Sequence, residues 1–179
     1  MKKICITIAA LFLMAAIGSA QNDIENWKIY RSDEYRFQFK YPSSWVVKHW
    51  KGSGEFFVCD EKLAASCGPL PEGVIASFTI TVMENKDGLS LEQYVMSPAH
   101  GAKVVKITSL GGEKALITVP SNSGTGQYPG EYLWVVKNEF VFMMNAGFET
   151  KNNFYEKFGE ILSTFKFYEP PRVDGGGCC

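Results

Sequence analysis

The stretch that most constrains this chain is Tyr35 to Trp45, which reads Tyr-Arg-Phe-Gln-Phe-Lys-Tyr-Pro-Ser-Ser-Trp. Ring-bearing residues alternate with polar ones, and successive side chains of a strand leave opposite faces. The spacing therefore predicts a strand with one aromatic face, Tyr35, Phe37, Phe39 and Tyr41, backed by Arg36, Gln38 and Lys40. Pro42 ends that ladder, since it has no backbone N–H to donate. Four aligned rings can form a stacking platform for a ligand or one wall of a core. The company they keep decides between the two.

That company is more β-structure. A lead-in over 21–34 carries a short strand around Trp27 and Ile29, and Trp45 to Lys48 resumes after the Pro-Ser-Ser turn. Glu55 to Cys59 is apolar at Phe56, Phe57 and Val58, while Ser77 to Glu84 alternates Phe78, Ile80 and Val82 with Thr79, Thr81 and Met83. Gly111-Gly112 joins Ala102–Leu110 to Lys114–Val119 as a tight hairpin. Lys137-Asn138 joins Glu131–Val136 to Glu139–Phe148 in the same way. Two helices interrupt the strands. Ser90-Leu-Glu-Gln93 is a capping box opening a helix over Leu91–Met96. Phe154, Phe158, Ile161 and Phe165 recur at i, i+4, i+7 and i+11, so a second helix runs over Asn153–Ser163 before a last strand at Thr164–Tyr168. The class is α+β, a mostly antiparallel twisted sheet with helices packed on its faces. With helices to cover the sheet, the aligned rings are core.

Residues 1–20 stand apart. Lys2 and Lys3 precede an apolar run from Ile4 to Ile17 that closes in Gly18-Ser19-Ala20, the pattern of a secretory signal peptide cut after Ala20. The run is shorter than the roughly 20 residues of a spanning helix, and the rival reading is an uncleaved anchor. Cys5 lies upstream of the cut and cannot bear a lipid on a mature N-terminus, so a soluble periplasmic or extracellular protein without lipid is expected. Residues 21–168 then form a single domain, and 169–179 a flexible Pro/Gly/Cys tail. With 46% hydrophobic and 21% charged residues, the chain of 179 has an ordinary globular composition. Removing Lys2 and Lys3 from a net charge of −1 leaves −3, and the pI of 6.1 lacks the basic footprint of a nucleic-acid binder.

Cysteine usage fits an oxidising compartment. Cys59 and Cys67 can close a nine-residue loop, which stabilises by roughly 2.5 kcal/mol in the chain-entropy model. Metal binding is the rival, although seven intervening residues is not a usual zinc spacing. Cys178 and Cys179 are adjacent and bridge each other only with strain, so an appended tail or an intermolecular disulfide is the better reading.

Several of these segments together resemble a known family. Tyr41-Pro42-Ser43-Ser44-Trp45, Leu91-Glu92-Gln93-Tyr94-Val95, Gly111-Gly112, Tyr132-Leu133-Trp134 and Ile161-Leu162-Ser163-Thr164-Phe165-Lys166-Phe167 look like those of the PsbP-like (Mog1/PsbP fold) superfamily, in a bacterial exported form. The resemblance spans roughly Tyr30 to Tyr168, and every matching residue is a packing or turn residue. It implies an α/β/α sandwich and a binding or accessory role, as in lumenal extrinsic subunits of photosystem II or in a eukaryotic partner of a small GTPase. No photosynthetic ligand residue carries over.

Catalytic constellations fail on inspection. No Gly-x-Ser-x-Gly elbow accompanies His49 or His100, and neither a Walker nor a dinucleotide motif occurs. Glu84, Asn85, Asp87 and Gly88 cluster in the manner of a calcium loop, but aligning Gly88 on the EF-hand glycine puts Met83 and Tyr94 where carboxylates belong. No metal or cofactor is called for. Two surfaces remain. Lys48, His49, Trp50 and Lys51, with Lys40 nearby, set basic groups around an aromatic, a composition suited to anionic glycans or lipid headgroups, the plainer reading being a solvated edge. The loop from Asp60 to Ala76, crosslinked if Cys59 and Cys67 pair, is apolar enough at Leu63, Leu70, Pro71 and Val74 for a protein partner, or to lid the protein's own core. The leading expectation is an exported, non-enzymatic binding or accessory module that contacts another envelope protein. The alternative is a small-ligand, glycan or weak metal binder, and a hydrolase comes last.

Overall fold

A computed structural model describes residues 24–50, 52–61, 77–97, 102–120, 131–146 and 154–169. The leader, Lys51, Cys67 with the rest of 62–76, His100 and the tail from 170 lie outside the described residues. Among the described residues there are ten strands: β1 (Lys28–Ser32), β2 (Phe37–Tyr41), β3 (Trp45–His49), β4 (Glu55–Asp60), β5 (Ser77–Glu84), β6 (Ala102–Leu110), β7 (Glu113–Pro120), β8 (Tyr132–Lys137), β9 (Phe140–Ala146) and β10 (Lys166–Phe167). Helices α1 (Leu91–Val95) and α2 (Phe154–Ser163) interrupt them.

All strand pairs are antiparallel, in two sheets. The larger runs β3-β4-β5-β9-β8-β7-β6 and the smaller β1-β2-β10. This places the aromatic strand differently from the expectation. Phe37, Phe39 and Tyr41 do share a face, but they lie on the middle strand of a separate three-stranded sheet that packs on the large one. Tyr35 joins their side from the preceding turn, where Arg36 takes φ 58 and delays the strand to Phe37.

The main core lies between the sheets. Phe37 and Phe39 from β2 meet Phe56 and Val58 of β4, Phe78 and Ile80 of β5, Leu133 and Val135 of β8, and Phe142 and Met144 of β9. Ile161 of α2 and Phe165 beyond it close the same core, as the period of that helix predicts. The opposite face of the large sheet carries a second cluster, in which Leu91 and Val95 of α1 cover Leu116, Trp134 and Val141. There Trp134 Nε1 donates to Thr118 Oγ1 at 2.8 Å, so the indole N–H is paired in a buried setting. The layers are thus a small sheet plus α2 on one face and the short α1 on the other, in place of the α/β/α sandwich that the resemblance implied. Alternating strands encode a buried face without encoding whether a helix or another sheet covers it.

Local signals account for the connections. Ser90 Oγ accepts from Gln93 N at 3.3 Å and Gln93 Oε1 accepts from Ser90 N at 2.9 Å, the reciprocal capping box that starts α1. Gly111 and Gly112 both hold positive φ, 57 and 88, as a two-residue hairpin between twisted strands demands. A Cβ on Gly111 would also stand 3.0 Å from Phe167 Cδ2, so that turn rests against β10.

Candidate binding surface

The register of β3 against β4 decides where each basic or aromatic candidate faces. Trp45, Val47 and His49 pair with Asp60, Val58 and Phe56, whereas Val46 and Lys48 pair with Cys59 and Phe57. Since Phe56 and Val58 point into the main core, His49 lies on the core side of the sheet and Lys48 on the other. The His49 ring stacks on Phe56 at 4.2 Å and 12° and meets the edge of Tyr35 at 6.5 Å. It is a solvent-facing continuation of the aromatic core.

Trp50 belongs to the opposite face. Its ring meets Phe57 edge-on at 4.8 Å and 69°, while 42% of the residue stays exposed. Phe57, Cys59 and the partly buried Val46 form a small cluster on that face, with Cys59 only 1% exposed. The structure therefore brings Trp50, Lys48, Phe57 and Cys59 to one side and separates His49 from them. Lys51 and Cys67 fall outside the described residues. Strand parity carried this split in advance, because neighbours in a strand cannot share a face.

Several other polar groups are committed to structure. Asn85 Oδ1 accepts from Leu89 N at 3.0 Å and its Nδ2 donates to Leu89 O at 2.9 Å, so the amide of the tested calcium loop closes the turn before α1. Glu84 in that loop pairs with Lys86 at 3.1 Å. Among the described residues, no three of His, Cys, Asp or Glu converge as a metal-binding group. Lys137 Nζ donates to Glu113 at 2.7 Å and lies 3.7 Å from Glu169; the bond to Glu113 raises the ammonium above its ordinary range. Across the outer side of the small sheet, Tyr168 Oη donates to Asp33 Oδ1 at 2.7 Å. Arg31 Nε donates to the same oxygen at 2.7 Å, and the guanidinium lies 4.1 Å from the Tyr168 ring centre. These two donors, Tyr168 first, hold the Asp33 carboxyl below the usual carboxylate range. No helix among the described residues is long and apolar enough to cross a membrane.

No family model and no curated protein matches this sequence. Among solved structures, the chain is similar to the solution structure of cyanobacterial PsbP (CyanoP) from Synechocystis sp. PCC 6803. That similarity has a TM-score of 0.46 and 13% identity, covering 79% of this chain and 92% of that one. At this depth it assigns neither a family nor a role.

One surface had no sequence candidate at all. Val105 and Ile107 on β6 are 48% and 65% exposed, at the far edge of the large sheet from Trp50. Alternation concealed it, because an irregularity in β6 shifts the parity of its side chains.

Proposed function

We propose that this protein is an exported, non-enzymatic accessory module of PsbP-like type that contacts another envelope protein through the outer face at Trp50. The observation that supports this reading is the seating of Trp50, an exposed indole held edge-on by buried Phe57 beside Lys48. Tryptophan fixed in this way offers a large apolar contact at little conformational cost, and tryptophan is enriched among residues that dominate binding energy. Export follows from the residue 1–20 pattern, with cleavage after Ala20. In this reading Cys59, which lies on the same face as Trp50, pairs with Cys67. Non-reducing mass mapping is expected to find Cys59 and Cys67 in one crosslinked peptide; two alkylatable thiols would rule the bridge out.

The test of the contact is a comparative pull-down from envelope extracts. A partner captured by the parent protein and depleted by Trp50→Ala, with thermal stability within about 0.5 kcal/mol of the parent, is the expected result. Equal capture by both forms overturns the Trp50 surface. The exposed indole also favours a second reading, a glycan stacked on its free face. Saccharide-induced quenching of tryptophan fluorescence that vanishes in Trp50→Ala would select that reading over the protein contact.

A further inference from the structure

Strand β6 ends the large sheet, paired on one side by β7 and on the other by no described strand. At nine residues it is longer than β3 at the other edge and longer than either edge of the small sheet, so among the described residues it offers the longest row of ladder groups with no strand beside them. Its side chains are sorted in an unusual way. The register shifts between Val104 and Lys106, leaving Val105 as the extra residue of a bulge. Lys103 and Lys106 pair with Val119 and Ile117, while Val104 and Ile107 pair with Thr118 and Leu116. Three residues apart, the two lysines would face opposite ways on a regular strand. The bulge restores them to one face and sets Val104 and Ile107 together on the other. Ile107 is 65% exposed and Val105 48%, which places two strongly exposed aliphatics on this one strand. Among the described residues, no carboxylate lies within ion-pair distance of Lys103 or Lys106; Lys114 nearby is already held by Glu92.

We propose that β6 is a site of strand addition for an extended acidic segment of a protein partner, one that alternates carboxylates with aliphatic residues. Its backbone completes the open ladder, its carboxylates face Lys103 and Lys106, and its aliphatics extend the Val104–Ile107 face. A second copy of this chain is a poorer occupant. Two β6 edges joined antiparallel keep the lysines of both copies on the same face of the continuous sheet, where like charges oppose pairing. The proposal deepens the reading of this protein as a partner-binding module and rests on it. It uses the edge opposite to Trp50, however, so each surface is tested without the other.

The probe is a capped synthetic peptide in which glutamate alternates with valine, added to the full chain. The expected result is slowed amide exchange along Ala102–Leu110, with binding roughly ten-fold weaker in Lys103→Glu/Lys106→Glu and restored to that variant by a lysine-valine peptide. A Lys103→Gln/Lys106→Gln variant with an unchanged melting temperature guards against a folding defect and is expected to bind with intermediate strength. Three results overturn the proposal: no protection of β6 in the parent, protection confined to β3, or equal binding by parent and charge-reversed forms. A dimer whose β6 amides are already protected before peptide is added assigns the edge to a second copy instead. Loss of partner capture in Trp50→Ala with intact β6 protection leaves this site standing. Intact capture with no β6 protection removes only the edge.

Discussion

Single residues here act mainly through their commitments to neighbours. Asp33 accepts from Tyr168 and Arg31, which lowers its folded pKa below the unfolded value. A carboxyl depressed on folding contributes stability that is present above its unfolded pKa and lost as pH falls through its folded one. Asp33→Asn should therefore lower the melting temperature modestly near neutrality and converge with the parent below about pH 4, because the variant lacks the contribution that the parent loses there. Parallel profiles for parent and variant down to acid denaturation would show that the network is not formed in solution. Both groups are exposed, so the effect is a modest one. At this scale the sequence was a mixed guide. It marked Trp50 as a residue to watch, but it grouped it with His49, whose ring is stacked on Phe56 on the other side of the sheet. Adjacent positions in a chain look like one patch until the strand geometry is imposed on them.

Elements were the best-read level, because their signals are local. The capping box at Ser90, the Gly111-Gly112 hairpin and the phenylalanine period of α2 each state a structure in a few residues, and each formed where expected. What stayed hidden was the constraint at Gly54, which looks like one of several turn glycines. Its φ is 67, and a Cβ there would stand 2.3 Å from the carbonyl oxygen of Val82. The Gly54 carbonyl also accepts from Val82 N at 2.8 Å, so the two backbones cannot part without breaking that bond. Gly54→Ala should lower stability by roughly 2–4 kcal/mol, combining a left-handed backbone with an overpacked contact. Gly52→Ala is the comparison, since it has a positive φ but open space. Equal losses in denaturant midpoint for the two would mean that the close approach to Val82 has no energetic weight.

For the whole molecule, the decisive object is the aromatic seam between the two sheets. Phe37 is fully buried and touches rings from both sides: Phe56 at 5.2 Å, Phe142 at 5.8 Å and Phe165 at 5.3 Å. Phe37→Ala should cost about 3–5 kcal/mol, a large part of the roughly 5–15 kcal/mol that holds a domain folded. A shift in denaturant midpoint worth less than about 1.5 kcal/mol would show that the sheets dock mainly by other contacts. Alternation in the sequence announced that these rings were buried. It did not announce a second sheet, since the pairing that makes one depends on residues far apart in the chain.

The small sheet is completed by β10, which pairs Lys166 and Phe167 with Gln38 and Phe37. Thr164 Oγ1 also accepts from the amide of Lys40, 124 positions earlier, at 2.8 Å. Contacts this distant in sequence make a fold slow to assemble, because the chain must close a long loop before they stabilise anything. During synthesis the middle strand of this sheet emerges early and waits for one edge until nearly all of the described chain has been made. The edge of β2 that β10 covers is thus the last part of the small sheet to be closed.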